Sequence, residues 1–142
     1  MNAVDKMLAE QRCQKLIFRY AMLTDQGDWD GLSAMFTEEA SFARPTAPDD
    51  VIVGRDNILA SFRSRKPTLT QHIVSNVLVS VESESKASAS SVLQLFIGTP
   101  VSDDSVPTHA NSNPIVGQFH DKFELVGDSW LFSERRGILT IK

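Results

Sequence analysis

Apolar residues in the first part of the chain recur at the spacing of an α-helix. The residues that form one apolar stripe at three- and four-residue spacing are Cys13, Leu16, Ile17, Tyr20 and Leu23. Gly27 is a suitable end for this helix, because glycine adopts the left-handed conformation without a steric penalty. The pattern therefore predicts a first helix over about residues 4–25.

Shorter elements are predicted between this helix and the middle of the chain. Asp28 has the chemistry to cap a second helix over about residues 29–36. A short strand is expected at 41–43, and after a proline-containing loop the β-branched run 51–53 indicates another strand. Asp56 can cap a third helix, which a following proline prevents from continuing.

From residue 70 onward the hydrophobic period changes to two, which is typical of β-strands. A polar turn separates the first of these strands from residues 86–98, so the two predict an antiparallel hairpin. Residues 115–125 and 130–141 predict a second hairpin. The proline- and serine-rich stretch 98–114 between the hairpins is expected to be a long loop, and such loops often serve as lids or binding loops.

The order of the elements favours an α+β fold, with N-terminal helices packed on one face of a curved sheet. A length of 142 residues indicates one domain spanning residues 1–142. The net charge of -4 gives no support to nucleic-acid binding or to an anionic membrane as partner. No apolar run has the roughly 20 residues of a spanning helix, and no signal peptide is recognisable, so we expect a soluble, cytoplasmic protein.

The sequence lacks the common catalytic and cofactor-binding motifs. It has no glycine-rich dinucleotide or phosphate loop, no G-x-S-x-G element and no H-E-x-x-H helix. Its single cysteine, Cys13, excludes an internal disulfide and a cysteine-based zinc site, and no short histidine spacing indicates another metal. We therefore expect no cofactor and no metal, and any catalysis must depend on a few dispersed polar residues.

Two residues far apart in the chain are candidates for acid–base chemistry. His72 begins a strand and shares one face with Val74, Asn76 and Leu78, so it could act as a general base, or it could simply be exposed at the strand end. Asp25 lies at the end of the first helix, where the helix dipole disfavours a carboxylate. That placement suggests a further use, such as orienting a histidine, although a solvated carboxylate near a turn is the plainer alternative.

The other polar and aromatic candidates are less distinctive. Arg135 and Arg136 point to opposite faces of a strand, so one could face a pocket while the other faces water, or both could be surface charges. His120 fits a solvated strand face. Tyr20 lies on the apolar stripe of the first helix and is expected to be a core residue.

Several segments in order resemble the SnoaL-like proteins of the NTF2-like superfamily. They are Phe18–Leu32, Met35–Ala40, the His72-x3-Asn76 strand, Gly117–Asp121 and the closing strand from Trp130 to Arg135. The resemblance implies a cone-shaped fold, in which a curved, mixed and mostly antiparallel sheet surrounds a pocket that N-terminal helices close. Within the group the chain is similar to the scytalone dehydratases and the hexachlorocyclohexane dehydrochlorinases.

This resemblance implies roles for particular residues. Asp25 would orient the imidazole of His72, and His72 would remove a proton from the substrate. Arg135 would lie near the departing negative charge, and Asn76 would be an alternative group to stabilise developing charge. Thr24 stands where a pocket tyrosine of the dehydratases is expected, and it joins Tyr20 and Asn76 as a residue expected to contact substrate.

The sequence thus favours a small cofactor-free enzyme of the lyase or isomerase type that acts on an apolar or alicyclic substrate. The alternatives are a non-catalytic binding module and a structural module like the β subunit of ring-hydroxylating dioxygenases, since one fold supports many functions. A curved sheet with one helix-covered face also predicts a homo-oligomer, a dimer or trimer, through an outer sheet face that carries Val77, Val79 and Phe96.

Overall fold

The first helix, α1, spans Ala3–Gln26 in the computed structural model, which describes residues 1–142. Its N-terminus forms a capping box, because the Asn2 side chain accepts a hydrogen bond from the Asp5 N–H and the Asp5 carboxylate accepts one from the Asn2 N–H. The helix ends at Gly27, which has a φ of +71°. The predicted bounds are therefore correct to within one residue at each end.

The next elements are shorter and less regular than the sequence predicts. Helix α2 spans Trp29–Ser33 and is capped by Asp28, whose carboxylate accepts a hydrogen bond from a backbone N–H of the helix. Strand β1 spans Phe36–Ala43 and therefore begins where the prediction still placed helix. The prediction was wrong there because Phe36 pairs with Phe132 of a distant strand, a contact that helical spacing does not reveal.

A short strand and a third helix follow. Strand β2 covers Ile52–Val53, and helix α3 covers Arg55–Arg63. The predicted cap for α3 was wrong by two residues: Gly54 is the capping residue, and Asp56 lies in the first turn. A carboxylate there still interacts favourably with the helix dipole.

Four long strands complete a single six-stranded sheet. They are β3 (Leu69–Val81), β4 (Lys86–Gly98), β5 (Ile115–Val126) and β6 (Ser129–Ile141). The strand order is β2-β1-β6-β5-β4-β3, and every pair is antiparallel except β1 with β6. The expected α+β architecture with a mixed, mostly antiparallel sheet is confirmed.

Helix α1 packs across the sheet, and the core between them is rich in aromatic residues. The ring of Tyr20 is in contact with several phenylalanine rings at centroid distances of 5.7 to 6.4 Å. The fully buried phenylalanines of this core are Phe36, Phe42, Phe62, Phe123 and Phe132. None of the helices combines the length and apolar character that crossing a membrane requires.

A β-bulge in β3 reverses which side of the strand faces inward. Asn76 has a φ of +52°, and the pairing with β4 shifts between Ser75 and Leu78. Val77 and Val79 consequently pack against the core, so their predicted place on the outer face was wrong. A prediction that assumes a strict period of two along the strand does not reveal this extra residue.

The loop that follows β1 packs directly against the sheet at Gly137. A Cβ atom built on Gly137 of β6 would come within 2.5 Å of the backbone nitrogen of Pro45. Real side chains do not tolerate such a distance, so only glycine permits this close approach. The contact holds the start of the loop, residues 44–46, against the open end of the sheet.

We expect Gly137→Ala to lower the free energy of unfolding by about 1–3 kcal/mol, because the methyl group must displace backbone rather than a flexible side chain. Urea denaturation monitored by circular dichroism would measure the change. A variant as stable as the parent would contradict the close approach of Pro45.

Candidate active site

A cavity of about 820 Å³ opens between the end of α1, the loops that follow β1 and α3, and the concave face of the sheet. This volume is within the range of small-molecule binding sites. Polar groups gather at the end of α1, at the start of β3 and in the loops that follow β1 and α3, whereas the rest of the wall is apolar. The apolar wall includes Tyr20, Trp29, Leu93, Leu95, Phe119 and Leu139.

Asp25 and His72 both line this cavity and are in direct contact. The Nδ1 atom of His72 lies 2.5 Å from Oδ1 of Asp25. The two side chains are only 17% and 15% exposed, so the contact is largely shielded from water. Two residues that are 47 positions apart, with α2, β1, β2 and α3 between them, are thus brought together at one point of the cavity wall.

Three further donors from β3 hold the Asp25 carboxylate. The backbone N–H of His72 donates to Oδ2 at 2.8 Å, and the Thr70 hydroxyl donates to Oδ1 at 2.9 Å. The side-chain amide of Gln71 lies 3.5 Å from Oδ2. Hydrogen bonds to an ionised carboxylate are stronger than neutral ones, so the carboxylate is fixed in position before any substrate arrives.

The contact determines the proton arrangement on the imidazole. An ionised carboxylate can only accept, so Nδ1 of neutral His72 donates to Asp25 and Nε2 carries the lone pair. Nε2 is therefore the basic atom of the ring. A carboxylate in this position also stabilises the imidazolium that forms when Nε2 takes up a proton.

Thr24 and Tyr20 line the cavity as the sequence predicts, but both residues are largely buried. The Thr24 hydroxyl donates to the backbone carbonyl of Tyr20 at 2.8 Å, so its proton is used within the helix. Burial raises the pKa of the Tyr20 phenol, an effect that the nearby charge of Arg135 opposes. The phenol therefore stays protonated at neutral pH.

Arg135 does not line the cavity, which corrects the expectation that it faces a departing anion. Its side chain is 1% exposed, and its guanidinium pairs with the buried carboxylate of Asp121 at 2.8 Å. The guanidinium carbon lies 3.8 Å from the ring centroid of Phe119 and 4.3 Å from that of Tyr20. Arg135 is thus a core residue packed against two of the rings that form the cavity wall.

The pairing of Arg135 follows from strand register. Asp121 of β5 lies directly opposite Arg135 of β6. Burial raises the pKa of Asp121 to about 6, with the Arg135 guanidinium acting in the opposite direction. The alternation of Phe119, Asp121 and Phe123 in the sequence already placed this carboxylate on an apolar face, and that signal could have identified a buried partner.

Asn76 also lies outside the cavity. It is exposed at the β-bulge, and its left-handed backbone turns the side chain away from the face that His72 occupies. The predicted contact of Asn76 with substrate is therefore corrected. The assumption that failed is that His72 and Asn76 share a face because four residues separate them.

The expected lid is also absent from the cavity lining. No residue of the 98–114 loop lines the cavity. Instead Asn111 fastens the loop beside β4, because its side chain accepts from the Ile97 N–H at 2.9 Å and donates to the Leu95 carbonyl at 3.1 Å. No group of three or more histidine, cysteine, aspartate or glutamate side chains is arranged to hold a metal ion.

Three basic residues at the mouth of the cavity were not predicted. Arg44 follows β1, and Arg65 and Lys66 follow α3. Arg65 stacks over the ring of Phe62, with the guanidinium carbon 4.0 Å from the ring centroid. These residues lie in loops without hydrophobic periodicity, so the sequence pattern contains no signal that places them at one site.

Comparison with known families agrees with the fold. Residues 5–136 match the family model described as the SnoaL-like domain. The chain belongs to the SnoaL-like family. Sequence comparison with curated proteins gives no match.

Solved structures resemble this SnoaL-like chain over nearly its whole length. A protein of Novosphingobium aromaticivorans, provisionally named a scytalone dehydratase, has a TM-score of 0.80 at 20% identity, covering 99% of this chain and 89% of its own. The type 3 hexachlorocyclohexane dehydrochlorinase of Novosphingobium barchaimii has a TM-score of 0.78 at 13% identity, covering 98% and 91%. An NTF2-like protein with a cystatin-like fold from Novosphingobium aromaticivorans has a TM-score of 0.75 at 22% identity, covering 94% and 83%. Such identities establish the fold alone.

The buried pair gives a stability prediction for this SnoaL-like fold. Arg135→Met leaves the Asp121 carboxylate buried without its counter-charge, so the free energy of unfolding should fall by about 3–5 kcal/mol. Arg136→Met is the matched control, because the neighbouring arginine is 38% exposed and pairs at the surface with Glu134. Its cost should be about 1 kcal/mol or less. Equal losses in urea denaturation would contradict the difference between the two arginines.

Proposed function

We propose that this chain is a cofactor-independent enzyme of the lyase or isomerase type, with His72 as the general base and Asp25 as the residue that orients it. The contact of Nδ1 with the Asp25 carboxylate inside an open cavity is the observation that carries the proposal. The SnoaL-like fold supports it, since neighbours of this fold include proteins named as a dehydratase and a dehydrochlorinase. The substrate would be a small organic molecule with an apolar body.

In the proposed reaction Nε2 of His72 removes a proton from a carbon of the substrate. In an elimination, the electron pair of that C–H bond forms a carbon–carbon double bond while a leaving group departs from the adjacent carbon. In an isomerisation, the imidazolium returns the proton at another carbon. Asp25 stays ionised throughout and stabilises the imidazolium, which removes the need for a metal or an organic cofactor.

The fold also supports two functions without catalysis, and one observation bears on them. A purely structural module would fill the interior of the cone with side chains, whereas this cavity is open and lined by polar groups. A module that only binds a small molecule remains the alternative. It differs from the enzyme in its dependence on His72, because binding needs no proton acceptor.

The first test compares variants of the proposed base and its partner. His72→Ala removes the proton acceptor, and general base catalysis contributes about 10²–10⁴-fold, so turnover should fall by that factor. Asp25→Asn keeps the shape but presents an amide to the ring, so it should also lose most turnover. The double variant should be scarcely worse than either single one, because the two residues act as a unit.

The assay would first screen alicyclic and aromatic ketones, alcohols and halides for turnover by the parent protein. His120→Ala is the matched control, because His120 is exposed on β5 and does not line the cavity. It should retain full activity, and all variants should keep their circular dichroism spectra. If His72→Ala retained activity within a few-fold, the mechanism would be wrong.

We also propose that the chain forms a dimer or trimer through the outer face of the sheet. This face carries apolar side chains opposite the cavity, among them Ile73, Leu78 and Ile138, and Leu78 is 72% exposed. Apolar area of this kind is favourably buried against another copy of the chain. Leu78 lies three residues before the end of β3, and its high exposure makes it a suitable site for a disruptive charge.

Light scattering at micromolar concentration should therefore give at least twice the monomer mass of 15.7 kDa. Leu78→Lys should shift the mass toward the monomer, because a charge would be buried in the interface. Val106→Lys is the control, since Val106 is 86% exposed in the loop between β4 and β5. A monomeric parent protein would refute this assembly.

A further inference from the structure

The mouth of the cavity has a charge opposite to that of the whole chain. The protein carries a net charge of -4, but Arg44, Arg65 and Lys66 all line the cavity. The only acidic residue of the lining is Asp25, and its carboxylate is already engaged by His72 and Thr70. The site therefore presents an excess of positive charge, which attracts anions and raises their local concentration.

Neither arginine has a partner within the protein. Arg44 and Arg65 form no ion pair and no side-chain hydrogen bond with any other residue. Arg135, the arginine buried in the core, is by contrast paired with Asp121. Half-buried Arg65 leaves its Nε atom shielded from water without a hydrogen bond, and unlike Arg135 and Arg136, which also have such an Nε atom, it lines the cavity. A buried donor without a partner is costly, so a ligand that satisfies it gains affinity.

Separate contacts hold the two arginines at the cavity. Arg44 belongs to the loop that Pro45 fastens against Gly137, and Arg65 is stacked on the ring of Phe62 at the end of α3. Burial lowers the pKa of Arg65, an effect that the phenol of Tyr20 opposes, and the charge of Arg44 lowers it further. Both cations line one cavity, and its only acidic side chain, Asp25, is engaged by His72 and Thr70.

We propose that Arg44 and Arg65 bind an anionic substituent of the substrate, a carboxylate or a phosphate, while its apolar body lies against the cavity wall. A planar guanidinium with several fixed donors matches two oxygen atoms of either group. This inference extends the proposed function by naming the substrate class, and it rests on that function only in assigning the bound molecule as the substrate. The proposed substrate is thus an amphipathic acid rather than the apolar or alicyclic molecule expected from the sequence.

The test compares ligands of the same shape that differ in charge. Calorimetric titration of the parent protein would use cyclohexanecarboxylate, cyclohexanecarboxamide and cyclohexyl phosphate as probes. Loss of a charge-assisted hydrogen bond corresponds to about a 10- to 100-fold change in affinity, so at least one acid should bind tighter than the amide by this factor. The tighter of the two acids identifies the substituent as carboxylate or phosphate.

Variants assign the effect to the two arginines. Arg65→Gln should bind acid and amide equally, Arg44→Gln should reduce the preference, and Arg65→Lys should retain part of it because a charge remains. Arg63→Gln is the matched control: Arg63 is the last residue of α3, two positions before Arg65, but it pairs with Asp30 and does not line the cavity. It should leave the preference unchanged.

Equal affinity of acid and amide for the parent protein would overturn the proposal, as would failure of both acids to bind. A preference for acid that survives Arg65→Gln and Arg44→Gln together would overturn it as well. These measurements need no turnover, so their failure leaves the role of His72 untouched. Conversely, activity that survives His72→Ala would refute the base without affecting the anion site.

Discussion

The carboxylate of Asp25 connects the two layers of the fold at the point where the cavity is formed. It lies in the last turn of α1, where the helix dipole disfavours an anion by about 0.3–1 kcal/mol. Donors from Thr70 and His72 at the start of β3 offset this cost and tie the helix end to the edge strand of the sheet. The same contacts orient the imidazole, so the carboxylate that closes the cone also holds the base of the proposed reaction.

Two of the acid–base pairs in the fold have surroundings that give them different uses. The Asp25–His72 pair lines the cavity, so the free nitrogen of its imidazole is available to a bound molecule. The Asp121–Arg135 pair is enclosed by the rings of Tyr20 and Phe119, and its burial makes it a structural element of the core. A side chain of suitable chemistry becomes a site residue only where the packing of the core leaves it accessible.

Local patterns in the sequence predicted the long helix and the four long strands, and the resemblance to a family paired Asp25 with His72. The features that were missed depend on contacts between distant segments. The bulge at Asn76 adds one residue to a strand whose spacing otherwise looks regular, and it moves Asn76 to the outside. The sequence assigned Arg135 to a strand but did not identify Asp121 as its partner. The hydrophobic period of a strand shows which residues share a face, but it does not show which residues of two strands lie opposite each other.

The central claim is that Asp25 leaves Nε2 of His72 as the free base. The most direct measurement is nitrogen and proton NMR of the His72 imidazole in protein labelled with ¹⁵N-histidine, assigned by comparison with His72→Ala. The account predicts that neutral His72 carries its proton on Nδ1, with a strongly deshielded hydrogen-bonded proton resonance that disappears in Asp25→Asn. A neutral imidazole protonated mainly on Nε2, or a spectrum unchanged in Asp25→Asn, would contradict it.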